Sequence, residues 1–236
     1  IISLMSEIVP GSMGSDSVAV NRPTSLKGEF RASSFKQVRG LNFRTSIDLG
    51  YNHAFGDGVV AFEDRFRLGG TGSLRGYNHE SVGPHNETSP VDVAWPTALA
   101  PIVDATNSNS PTRWVATGGD TKATFVAEML VPLPLLGLNE WDGYSWAFFM
   151  DSGNVWNLNP LAQATSESDE YPTLRDTILR YSVGTGVRVA TPIGPLQFDI
   201  AGNPDYIFSN ESRQLLLKDA FDETAYRMHL SLGALW

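Results

Sequence analysis

The chain of 236 residues has no cysteine. Disulfide stapling and thiolate chemistry are therefore excluded, and the compartment must be argued from other features. It contains no apolar run of about 18 residues, so no transmembrane helix is expected. Positive charge is scarce as well. There are 17 Lys and Arg against 26 Asp and Glu, a formal net charge of -9, and no basic stripe to draw in a nucleic acid. The four histidines, His53, His79, His85 and His229, show no metal-ligand spacing, so neither metal nor cofactor is expected. No serine, threonine or lysine stands in a recognisable nucleophile–base constellation, which argues against an enzyme. The opening residues Ile1-Ile2-Ser3-Leu4-Met5-Ser6 show no basic start or cleavage site, so the chain is read as a mature or truncated piece.

What the chain does have is alternation. From Leu41 to Asn52, Leu41, Phe43, Thr45, Ile47, Leu49 and Tyr51 alternate with Asn42, Arg44, Ser46, Asp48, Gly50 and Asn52. From Leu179 to Val189, Leu179, Tyr181, Val183, Thr185, Val187 and Val189 alternate with Arg180, Ser182, Gly184, Gly186 and Arg188. The last stretch sets Tyr226, Met228, Leu230, Leu232, Ala234 and Trp236 against Arg227, His229, Ser231 and Gly233. A period of two with one apolar face predicts β-strands. About eight are expected, near residues 1–9, 25–36, 41–54, 121–133, 143–157, 178–191, 194–206 and 225–236.

Short connections (37–40, 133–142, 192–193) alternate with long ones (10–24, 55–120, 158–177, 207–224). Long strands with short turns on one side and long loops on the other predict a transmembrane antiparallel β-barrel, with the short turns periplasmic. Tyr51, Tyr144, Trp146, Trp156, Tyr181 and Trp236 lie near strand ends, where interfacial aromatic girdles belong. A soluble β-sandwich would also alternate. Its strands are shorter, and its wet faces carry Thr, Lys and Glu rather than rows such as Arg180, Gly184 and Arg188.

The loop at about 55–120 carries Arg65-Phe66-Arg67-Leu68-Gly69-Gly70-Thr71-Gly72-Ser73-Leu74-Arg75-Gly76-Tyr77. A long loop with an anchoring cation is usually functional. Parity turns Glu128 inward on the strand Ala123–Val131 and Asp151 inward on the strand that follows it. Two carboxylates in a confined lumen require a cation. Arg75 can supply it, its guanidinium forking to both while the loop folds back into the lumen. The reading is a latch made of Arg75, Glu128 and Asp151. An eight-stranded barrel has an interior just wide enough for side chains, so an N-terminal half, a second copy or a partner chain is expected to complete the wall.

Leu74-Arg75-Gly76-Tyr77 resembles the loop motif of the BamA-type superfamily of outer-membrane assembly and two-partner translocator barrels. Phe148-Phe149-Met150-Asp151-Ser152-Gly153-Asn154-Val155-Trp156 looks like that family's strand bearing the acidic partner of the loop arginine, and Thr124-Phe125-Val126-Ala127-Glu128 like the strand bearing a second. Thr191-Pro192-Ile193-Gly194-Pro195-Leu196-Gln197-Phe198-Asp199 resembles the turn and strand before the last loop. Tyr226, Leu230, Leu232, Gly233 and Trp236, within 225–236, resemble a C-terminal strand signal. The resemblance implies that residues 1–236 are the C-terminal half of a barrel of about 16 strands in a Gram-negative outer membrane. It further implies unfolded β-barrel clients, accessory lipoproteins, outer-membrane lipid and no enzymatic activity. A TamA-like translocation factor, a secretion pore and a simple diffusion pore are the alternatives.

Overall fold

The computed structural model describes residues 2–10, 23–56, 58–88, 113–138, 143–158 and 178–232. Among the described residues ten strands run in chain order: β1 (Ile2–Val9), β2 (Ser25–Val38), β3 (Leu41–Ala54), β4 (His85–Thr88), β5 (Arg113–Ala116), β6 (Thr121–Pro132), β7 (Tyr144–Trp156), β8 (Arg180–Val189), β9 (Leu196–Gly202) and β10 (Tyr226–Leu232). Eight form one antiparallel meander in the order β1-β2-β3-β6-β7-β8-β9-β10, close to the positions that alternation marked out. β4 and β5 form a separate two-stranded ribbon inside the long loop. No described helix is long and apolar enough to cross a membrane, which has no bearing on a barrel crossing with strands.

The pleat sorts the side chains as parity requires. Phe43, Ile47, Leu49, Tyr51, Trp146, Phe148, Met150, Tyr181, Val183, Leu230 and Leu232 lie exposed on the outer face, while Asn52, Glu128, Asp151, Ser182, Arg188 and Asp199 are buried on the inner one. An outer face this apolar suits hydrocarbon. The β2–β3 turn is the two-residue pair Arg39-Gly40 between Val38 and Leu41, both with positive φ (52° and 84°). That geometry matches the right-handed twist of a hairpin, and glycine adopts it without a Cβ clash.

The apolar core lies within the loop, packed on the sheet's inner face. It comprises Phe66, Leu68, Leu74, Tyr77 and Val82 of the loop with Val155 of β7. Phe66 fixes the loop's base. Its backbone pairs with Gly119, and its ring lies 4.7 Å from Lys27 Nζ and 5.0 Å from Lys122 Nζ. These cations on β2 and β6 add cation–π attraction to the burial of the ring.

Two readings need correction. The strand expected over 194–206 stops at Gly202. Asn203 caps a short helix, α1 (Pro204–Ile207), its side chain accepting from the Tyr206 N–H with Pro204 in the first turn. Both residues favour a helix start over a continued ladder. The connection expected over 207–224 also holds an eleven-residue helix, α2 (Glu211–Phe221), capped by Asn210 through the Arg213 N–H. Of the terminal-strand residues, Tyr226, Leu230 and Leu232 project outward on β10, whereas Gly233 and Trp236 lie outside the described residues.

Candidate functional site

The long loop descends to the inner face, where Leu74, Arg75, Gly76 and Tyr77 are all buried. Arg75 is 8% exposed and Asp151 wholly buried. The two meet through three hydrogen bonds. Nε donates to Asp151 Oδ2 at 2.8 Å, Nη2 to Oδ1 at 2.7 Å, and the Arg75 backbone N–H to Oδ2 at 3.2 Å. This is the bidentate fork, the strongest form of charged hydrogen bonding. The guanidinium also lies 3.3 Å from the centroid of the Phe149 ring. Burial works against its charge. The hydrogen bonds and charge of Asp151, then the charges of Glu128 and Asp199, more than compensate and hold the guanidinium above the ordinary arginine pKa.

The second carboxylate that Arg75 bonds is Asp199 on β9, from Nη1 at 3.1 Å. Glu128 acts on Arg75 through its charge and takes hydrogen bonds from two other arginines, Arg44 of β3 at 3.3 Å and Arg188 of β8 at 2.5 Å. The register explains this. Asp151 pairs with Val126 across β6–β7, while Glu128 pairs with Phe149. The Phe149 ring, Glu128's ladder partner, lies against the guanidinium, and Glu128 bonds the neighbouring arginines instead. Arg188 closes the chain by donating to Asp199 at 2.5 Å. Three arginines and three carboxylates thus alternate across β3, β6, β7, β8, β9 and the loop, with charges balanced.

Sequence reasoning assigned no partner role to Arg44, nor to the pair Arg188 and Asp199. Parity turned Arg188 inward, and Asp199 stood in a quoted motif. The missing information was the stagger that brings β9 beside the loop. Room for the pair comes from Gly186, opposite Asp199, where a Cβ would sit 2.1 Å from Asp199 Oδ1.

Tyr77 extends the contact to the other rim. Its hydroxyl lies 3.2 Å from the Tyr181 carbonyl oxygen and 3.2 Å from Asp205 of α1, and Arg180 also pairs with Asp205. Burial, and then the charge of Asp205, push the phenol's pKa up, so it remains a neutral donor. Beyond it, the Asn78 side chain donates to the Asp222 carbonyl, and Ser81 and Asn203 both donate to Glu223. On β10, His229 approaches the loop at Thr71 and at the Arg75 carbonyl. The loop therefore touches β7, β8, β9 and β10. Among the described residues no group of three or more His, Asp or Glu is arranged to hold a metal ion. The arrangement holds a segment in place.

Comparison with known proteins comes to the same architecture. A profile of the Omp85 superfamily domain matches residues 15–215. The outer membrane protein assembly factor BamA of Neisseria meningitidis serogroup B is 25% identical over 154 residues, covering 60% of this chain and 16% of that protein. The crystal structure of BamA from Haemophilus ducreyi lacking POTRA domains 1-3 matches with a TM-score of 0.55 at 22% identity, over 90% of this chain and 35% of that one. At that identity the likeness is one of fold.

Proposed function

This chain belongs to the Omp85 superfamily, and we propose that it is the C-terminal part of an outer-membrane barrel that folds and inserts other β-barrel proteins. Residues 1–236 supply part of the wall, the segment about 55–120 is its re-entrant loop, and 225–236 its terminal strand. The wall continues beyond β1 through an N-terminal half, a second copy or a partner chain. The clients are unfolded β-barrel proteins, delivered with the help of accessory lipoproteins to a Gram-negative outer membrane. The work is non-enzymatic.

One observation carries this reading: an inner wall braced by a latched loop stands beside a terminal strand paired on one side. β10 has a ladder to β9 and, among the described residues, no strand on its other side. In hydrocarbon each unsatisfied backbone group costs several kcal/mol. An incoming strand that pairs with β10 removes that cost and gains a template for its own register. The Arg75 latch, with Asp151, Asp199 and Glu128, keeps the wall rigid while the edge exchanges partners.

The full-length protein in liposomes should raise the rate at which an unfolded outer-membrane barrel becomes protease-resistant, relative to empty liposomes. In planar bilayers it should give small, flickering currents, since the loop occupies the lumen. Large steady conductance without faster client folding would make it a diffusion pore and end the assembly reading.

A further inference from the structure

The inner side of β10 carries Arg227, His229 and Ser231. Arg227 donates to the Asp222 carbonyl within its own connection. His229 does something different, because its ring reaches across to the latch loop. Nδ1 lies 2.8 Å from Thr71 Oγ1, and Nε2 lies 2.5 Å from the Arg75 carbonyl oxygen. A carbonyl can only accept, so these partners imply that Nε2 carries the proton and donates. That leaves Nδ1 to accept from the Thr71 hydroxyl.

The turn between those two points is closed on itself. The Gly70 N–H donates to the Leu74 carbonyl, the Ser73 N–H to the Gly70 carbonyl, and the Gly69 N–H to the Ser73 hydroxyl. The imidazole therefore clasps one preformed turn. It does so directly opposite Asp199, its register partner on β9, which takes the Arg75 guanidinium. Arg75 is thus held by its side chain from β9 and by its backbone from β10.

We infer that His229 is a positioning residue that couples the terminal edge strand to the latch loop. With the turn 69–75 docked, His229 keeps β10 seated on the sheet. When the turn leaves the lumen, β10 loses this clasp and depends on the β9 ladder and its own connection. Such coupling is reciprocal, so a β10 drawn away by a partner strand also loosens the loop. The consequence for assembly rests on the reading of β10 as the exchanging edge, but the coupling itself can be measured with no client present.

The test is hydrogen–deuterium exchange of the full-length protein in lipid nanodiscs. In His229→Ala, amides of 226–232 should exchange on the order of tenfold faster, as expected for the loss of one or two hydrogen bonds. Residues 70–75 should also speed up, and 144–156 should not change. His229→Gln places an amide nitrogen near the position of Nε2 and should restore most of the protection. Thr71→Ala, at an exposed position that does not threaten folding, should give a smaller acceleration of 226–232. Unchanged exchange of 226–232 in both alanine variants overturns the inference. Equal acceleration in His229→Ala and His229→Gln also overturns it, because ring bulk rather than hydrogen bonding would then matter. Coupled exchange in a protein that folds no client would sink the assembly reading and leave the coupling standing. Client folding with uncoupled exchange would do the reverse.

Discussion

Replacing Arg75 with alanine is expected to destabilise the folded barrel by about 3–5 kcal/mol, the usual cost of removing one partner from a buried ion pair. Most of that cost falls on Asp151. The carboxylate is wholly buried and would keep the Ser182 hydroxyl, at 3.5 Å, in place of a charged fork. Asp199 suffers less because Arg188 still donates to it. The readout is the temperature at which the folded band of the full-length protein converts to the unfolded band on a gel, which should fall well below that of the wild type. Arg75→Lys should recover little, since an ammonium cannot reproduce a bidentate contact and a flat stack on Phe149. Arg75→Ala combined with Asp151→Ala should cost less than the sum of the two, because no buried charge is then left alone. An unchanged transition in Arg75→Ala would show that the loop does not brace the wall.

The second large effect comes from fit rather than charge. At Gly76 a Cβ would stand 2.5 Å from the Gly202 carbonyl oxygen and 2.6 Å from Ser182 Cβ. Neither neighbour is the far end of a flexible side chain, so Gly76→Ala must push the loop away from β8 and β9. Overpacking of this kind costs about 1–3 kcal/mol. It should expose the loop to protease although every charged group remains. Gly72→Ala is the control. Its φ is +96°, but nothing lies within 4 Å of the added carbon, so it should show a backbone cost of about 1–2 kcal/mol without displacing the loop. Equal protease sensitivity in the two variants would mean that the close approach at Gly76 does not hold the loop down.

Much of the architecture was legible because a strand's period of two is local. Ala147, Phe149 and Asp151 are buried and Trp146, Phe148 and Met150 exposed, as counting along the chain implies. The loop arginine and inward carboxylates were visible by the same counting. Their pairing was not, because it depends on the stagger between strands, which a period of two does not set. Asp151 and Asp199 converge on one guanidinium only through the β7–β8 and β8–β9 registers, which set Asp151 opposite Ser182 and Asp199 opposite Gly186. In the sequence His229 is one of four scattered histidines, and its contact with the loop needs the same long-range information. Helix α2 is a different case. Asn210 followed by Glu211-Ser212-Arg213-Gln214-Leu215 carries a cap and helix-forming residues, but the alternation on either side makes the segment between look like a loop.

The central claim is that β10 offers the edge turned away from β9 to an incoming strand, and site-specific crosslinking tests it most directly. The chain has no cysteine, so a cysteine placed at Leu230 of β10 reports on that position alone within it. The control is a cysteine at Phe148, equally outward but on β7, which is paired on both sides. With a stalled client barrel bearing a cysteine in its terminal strand, the full-length protein is expected to form the disulfide through residue 230 and not through residue 148. Equal crosslinking at both positions, or none at 230 while the client still folds, would contradict the account.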